Sequence, residues 1–396
     1  MDKPGAVAAI VVVTTLADSV FLVLPLLVDE WTQLLHFSTT QIGLLASVDL
    51  IGIAASTATG PLWLHRVPWR VVLLSSLWVF LLLNFLCIGI HAFAALTCIR
   101  LCAGLAAGTS LTVGLRALTD THNVARNSAF MMCAQAIYGA LGLSIIPLLG
   151  NRWVLDRIYV FLILTLLPAI MLSWKCFPMK RDESIQIHKG TRPSLVRHAI
   201  FLVAGTFIFF LVTGAFWAYL LEIAQEAGLL LIQASNAMSM GMLFALGGSL
   251  GAAWLGLRAG RAIPIGLVAI VQVLAYYAYT RIGETSHVVL AFYVINAVFQ
   301  ISWQFVISYF IVLFQDIDHS GKIVPLYGTA MHLGLCIGPF LGSLLIVHGN
   351  HAPILYFSIG GTIVCFSLFL LTIGNNTGSP KSVDQQAQSE YPVGQT

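Results

Sequence analysis

Charge is what this sequence has least of. Of 396 residues, 19 are Lys or Arg and 16 are Asp or Glu, together 9% of the chain. A soluble globular domain carries about 25%. With 58% of residues apolar, the shortage excludes an ordinary water-soluble domain and places the chain among membrane proteins. The formal net charge of +3 is too small to mark a nucleic-acid partner. Cysteine is also scarce, with seven in the chain. Cys87, Cys98, Cys102, Cys133, Cys336 and Cys365 lie inside apolar stretches and Cys176 ends one. Their spacing pairs none of them, so it implies neither a disulfide framework nor a metal site, and they read as small apolar residues. There is no G-x-x-x-x-G-K-[ST] loop to cradle a nucleotide phosphate. No Ser-His-Asp set has a recognisable local context, so no enzyme is expected. No filter-like loop interrupts an apolar stretch, which argues against a channel. No cofactor is called for.

What the sequence does have is apolar runs of about 20 residues, the length that crosses a bilayer as a helix. Twelve recur, near 5–28, 41–64, 71–90, 92–117, 126–150, 155–176, 197–221, 233–257, 262–281, 286–314, 322–348 and 352–373. The opening run is too long for the apolar core of a signal peptide and reads as a retained first span. The longest polar connection, "MKRDESIQIHKGTRPSLVRH", separates the sixth run from the seventh. The expected organisation is therefore an N-terminal six-helix bundle over 1–176, a central loop over 177–196, a C-terminal six-helix bundle over 197–373 and a disordered polar tail over 374–396.

Lys and Arg concentrate on the cytoplasmic side of membrane proteins. With the N-terminus in the cytoplasm, only Arg152, Arg157 and Arg281 of the 19 basic residues fall outside, and Arg100 lies within a span. That asymmetry supports an even number of spans with both termini cytoplasmic. Economy of loops and length points to a bacterial inner membrane, and a monomer is expected. The halves also echo each other. "HRVPWR" and "LRAGR" follow the second and eighth runs, and "DTHNVAR" and "DIDHSGK" follow the fourth and tenth. A parallel repeat of this kind is common in transporters.

At this point the chain resembles the major facilitator superfamily over roughly residues 5–373. The most specific match is "RLCAGLAAG" in the fourth run, with Arg100, Gly104 and Gly108. The family's loop between helices two and three is matched by "GPLWLHRVPWR", with Gly60, Arg66 and Arg70. Its second-half copy is "GLRAGR", with Arg258, Gly260 and Arg261. Both copies lack the family's acid. The fifth run holds no Gly-Pro pair of the antiporter kind, whereas the eleventh reads "GLCIGPFLG". The resemblance implies an all-α membrane protein of twelve transmembrane helices in two bundles. It also implies a solute site at the midplane, alternating access, and these loop residues as a conformational gate.

Few residues inside the runs can carry chemistry, and charge in the bilayer is costly enough to mark function by default. Asp18, Asp49 and His332 are the candidates for proton coupling. Counting about ten residues from the outer end for Asp18, and about eight for Asp49 and Arg100, puts all three at one depth. One arginine compensates one acid and leaves the other to titrate. The alternative reading is that Asp18 only pairs with Arg100 to fix packing. Arg100 is also a candidate for an anionic solute, since guanidinium grips carboxylates in two-pronged fashion. In the tenth run, Asn296, Gln300 and Gln304 share a helix face, with Tyr293 and Trp303 beside it. They form the expected solute-facing stripe, or else a hydrogen-bonded seam between helices. Trp217, Gln135 and Tyr138 complete the solute-binding candidates. Glu222 and Glu226 fall at the outer end of the seventh run and read as solvated. The expected function is secondary transport of a small organic solute, with Arg100 favouring an acidic group and proton symport as the coupling. The alternatives are a proton-coupled drug or metabolite exporter and a non-transporting membrane receptor or scaffold.

Overall fold

A computed structural model describes residues 3–149, 156–179, 193–256, 258–317 and 323–374. The described residues form fourteen α-helices and no named strand. They are α1 (Pro4–Ala17), α2 (Ser19–Leu22), α3 (Leu24–Leu35), α4 (Thr39–Trp63), α5 (Trp69–Cys87), α6 (Phe93–Thr119), α7 (Val124–Ile145), α8 (Asp156–Cys176), α9 (Pro193–Glu226), α10 (Leu231–Leu255), α11 (Ala262–Thr280), α12 (Val288–Ile317), α13 (Val324–Leu345) and α14 (Ala352–Gly374). Eleven of them, α4 to α14, are long and apolar enough to cross a membrane. Most of the expected central loop, 180–192, and the expected disordered tail from 375 onward lie outside the described residues.

The expected first span is not a single helix. It is longer than 5–28 and breaks at Asp18 and Val23 into α1, α2 and α3. Pro25 accounts for the second break. A proline has no N–H to return to the carbonyl four residues earlier, and its ring crowds that carbonyl. The carbonyl in question belongs to Phe21. The indole N–H of Trp217, on α9, donates to it instead at 2.9 Å.

Local signals set the other boundaries. Ser38 and Gln41 form a reciprocal cap at the start of α4, with bonds of 3.3 and 3.0 Å, the arrangement that satisfies orphan donors at a helix start. Asn123 accepts from the Arg126 amide at 3.2 Å and caps α7. The outer surface carries exposed Trp78, Leu82, Leu164, Leu250 and Leu267. That much exposed apolar surface is a liability in water and is what a lipid-facing helix presents.

Helix contacts fall into two sets. α1 packs with α6, α7 and α8, α4 and α5 pack with α6 and α5 also with α8, whereas α9 packs with α13 and α14 while α12 packs with α10 and α11. The sets meet where α3 touches α9, α4 touches α13 and α7 touches α10. We call the side holding the start of α1 and the end of α14 the terminal side, and the opposite one distal. The cross-set bonds cluster toward the distal side. The Phe340 amide donates to Ser47 Oγ at 3.0 Å, Ser144 to Ser239 at 2.8 Å, and Ser239 to the Ala140 carbonyl at 2.8 Å.

Candidate functional site

Between the two sets lies a cavity of about 250 Å³, lined mainly by apolar side chains. Leu115, Ile311 and Tyr327 on its wall sit near the terminal ends of α6, α12 and α13, so the cavity reaches toward the terminal side. The distal contacts close its other end.

Asp18 lies on this wall, at the break between α1 and α2, where its backbone (φ −92°, ψ 4°) leaves the helical conformation. Gln135 of α7 donates to its carboxylate at 2.8 Å. Across the cavity stand Gln300, Trp303 and Gln304 of α12, Trp217 of α9 and His332 of α13. Gln304 reaches to the sulfur of Met132 on α7 at 3.7 Å, a contact that spans the two sets. The His332 Nδ1–H donates to the Gly328 carbonyl at 2.7 Å. Among the described residues of the wall, Asp18 is the one carboxylate, and no Lys or Arg is present.

Asp49 and Arg100 are elsewhere. Both are buried between α4 and α6. Arg100 Nε donates to Asp49 Oδ2 at 2.7 Å, its NH2 nitrogen donates to the same oxygen, and its NH1 nitrogen donates to Asn84 Oδ1 at 2.9 Å. Its guanidinium carbon also lies 5.9 Å from the Tyr159 ring centre. The pairing depends on close helix approach. A Cβ on Gly104 would stand 2.1 Å from the Asp49 carbonyl oxygen, so only glycine lets α4 come this near α6. The expected meeting of the three charges therefore does not occur. Arg100 takes Asp49, and Asp18 faces the cavity with an amide partner.

The tenth-run stripe splits. Gln300, Trp303 and Gln304 reach the cavity. Asn296 is buried, donates to the Ala237 carbonyl at 2.8 Å and accepts from Tyr279 at 3.4 Å, so it belongs to a seam between α10, α11 and α12. Tyr293 packs against the apolar core. Tyr138 shares a hydrogen bond of 3.1 Å with Thr165 and packs on Phe161. Phe21, Leu50, Met131, Met132 and Met242 also line the cavity. Nothing in their residue type distinguished them from ordinary lipid-facing positions.

In the two loops expected to form a gate, a Cβ on Gly60 would meet the Thr112 side chain at 2.5 Å. Arg66 bonds His65 at 3.2 Å, Arg70 lies in the first turn of α5 and Gly260 lies between α10 and α11. Arg258 lies 5.9 Å from the Trp254 ring centre. Arg261 donates to Asp316 at the end of α12, at 2.7 Å. The acid that pairs with this loop's arginine thus comes from another helix. Glu222 and Glu226 are not simply solvated, because both bond His351.

The fold has known counterparts. A point mutant of the nucleoside transporter NupG superposes with a TM-score of 0.75 at 13% identity, over 93% of this chain and 99% of that one. A bacterial homolog of the human lysosomal transporter Spinster, in an inward-facing and unoccupied conformation, gives 0.67 at 13% identity, over 94% and 96%. No curated protein matches the sequence. The sequence matches the profile of the Major Facilitator Superfamily over residues 7–339, so the chain belongs to that family and is an integral membrane transporter rather than an enzyme.

Proposed function

We propose that the chain is a twelve-span secondary transporter with both termini in the cytoplasm, and that it couples movement of a small organic solute to protons through Asp18. On this reading the broken stretch α1–α3 counts as the first span, and the two sets of helices are six-helix bundles. The terminal side is then cytoplasmic, and the described state opens inward. One observation carries the reading: a single carboxylate among the described residues of the wall, held at a helix break, on the cavity between the two halves. A carboxyl group that exchanges its proton between cavity water and an apolar surround is a natural coupling element.

The wall favours a different solute from the acid that the sequence pointed to. Arg100 is spent on Asp49, and the other polar groups on the wall include the amides of Gln135, Gln300 and Gln304. Amides pair with neutral donors and acceptors, and Trp217 and Trp303 offer flat apolar faces. A neutral or cationic solute with a flat ring fits this wall. A neutral nucleoside, of the kind the name NupG refers to, is within that class.

The test is proton movement in proteoliposomes loaded with a pH dye, comparing wild type with Asp18→Asn. The panel holds nucleosides, aromatic cations and aromatic acids. Proton movement driven by a nucleoside or a cation in wild type and lost in Asp18→Asn is the expected result. Solute flux without a proton signal in both proteins would make Asp18 structural and the protein a facilitator. Flux of the acids alone would reject the solute class.

A further inference from the structure

A second cluster of ionisable side chains lies on the distal side, where α3 meets α9. His351, in the short loop before α14, is 9% exposed. Its Nδ1 is 2.8 Å from Glu226 Oε2 and its Nε2 is 3.0 Å from Glu222 Oε2. The His351 amide also donates to Glu226 Oε2 at 3.1 Å. Both glutamates end α9. The second oxygen of Glu222 crosses to the other half and accepts from Thr32 of α3 at 2.6 Å. One imidazole thus stands behind the carboxylate that ties the halves together.

A carboxylate oxygen only accepts hydrogen bonds, and an imidazole donates from both nitrogens only when protonated. Two carboxylates on two ring nitrogens is therefore the arrangement of an imidazolium. A neutral ring would turn a lone pair on one of the glutamates. The surroundings sharpen the effect. From α9 the ring meets Glu222, Glu226 and, 6.2 Å between ring centres, Tyr219. From α3, Asp29 lies near enough to Glu222 to repel it, while Arg157 attracts Asp29 and forms an ion pair with Glu30. Burial alone would push His351 below its ordinary 6.5, but hydrogen bonds and charge from Glu222 and Glu226 outweigh it and hold the ring above that value.

We propose that His351 is a second proton site, separate from Asp18, whose protonation latches the distal side shut by holding Glu222 against Thr32. The inference rests on the alternating-access reading. Without the proton, Glu222 keeps Glu226 and Asp29 as neighbours and loses the positive charge of the ring, and the contact of α3 with α9 loosens. The closed form binds the proton more tightly than an open form in which the ring meets water. Closure is then favoured below the ring's ordinary value and is lost as pH rises through the raised one.

The test is hydrogen–deuterium exchange of the full chain in nanodiscs, from about pH 5 to about pH 8, the range in which histidine titrates. The readout is the distal end of α3 and the loop before α14, with each variant compared with wild type at the same pH. Wild type should show a several-fold rise in exchange beyond the chemical rate as pH increases. His351→Gln should lack the step and already exchange fast at acid pH. If that variant does not fold, Glu226→Gln serves, and its step should move to lower pH. A step that is the same in wild type and in the variant measured, or no step in wild type, overturns the latch. Asp18→Asn should keep the step. Its loss there would assign the titration to the cavity, overturning the latch and leaving the cavity reading intact.

Discussion

Neutralising Asp49 without touching Arg100 separates the two roles open to that arginine. In the structure the guanidinium is fully buried, with two of its nitrogens on Asp49 and a third on Asn84. Asp49→Asn keeps the shape and removes the compensating charge. Breaking a buried ion pair from one side costs about 3–5 kcal/mol, and an arginine at mid-bilayer costs about 2.5–3.5 kcal/mol by insertion scales. The two estimates agree on about 3 kcal/mol, a large share of a net stability of about 5–15 kcal/mol. Arg100→Gln leaves Asp49 as the orphan and should cost a similar amount. The double variant leaves no charge at this site and should lose less than either single one, the non-additivity expected of residues in contact. The assay is reversible unfolding of purified protein in mixed micelles for all four proteins, with solute affinity measured alongside. Single variants that unfold like wild type while solute affinity collapses would refute the reasoning and return Arg100 to the solute site.

Two further outcomes follow from contacts between the halves. Trp217→Phe keeps an aromatic ring but removes the indole donor to the Phe21 carbonyl, to which Pro25 cannot donate. Losing one hydrogen bond costs about 0.5–1.5 kcal/mol, so the variant should unfold more easily, whereas wild-type stability would mean that water replaces the indole. Gly43→Leu acts on closure instead. A Cβ there would stand 2.3 Å from the Ser343 side chain and 3.0 Å from the Pro339 carbonyl oxygen. The added side chain should hold α4 away from α13 and raise deuterium uptake at the distal end of α13. Unchanged uptake would show that the helices part without strain.

By itself the sequence determined where the helices run and, through its resemblance to the family, the kind of fold they make. Hydropathy is read along one dimension, and a bilayer imposes one length on every span. Eleven expected spans accordingly reappear as α4 to α14. The break in the first span left one sign, Pro25, which removes a specific hydrogen bond. Position along each helix can also be counted from the sequence, since rise per residue is fixed. The azimuth of each residue around its helix was not, because it depends on which neighbours pack where. Tertiary structure alone decided that Gly104 lets Arg100 meet Asp49 while Asp18 turns to Gln135 and the cavity. It alone split Asn296 from Gln300 and Gln304, which share a helix face. It also brought His351 to Glu222 and Glu226, more than a hundred residues apart in the chain. Partner choice between distant residues is a property of packed helices, and no local pattern encodes it.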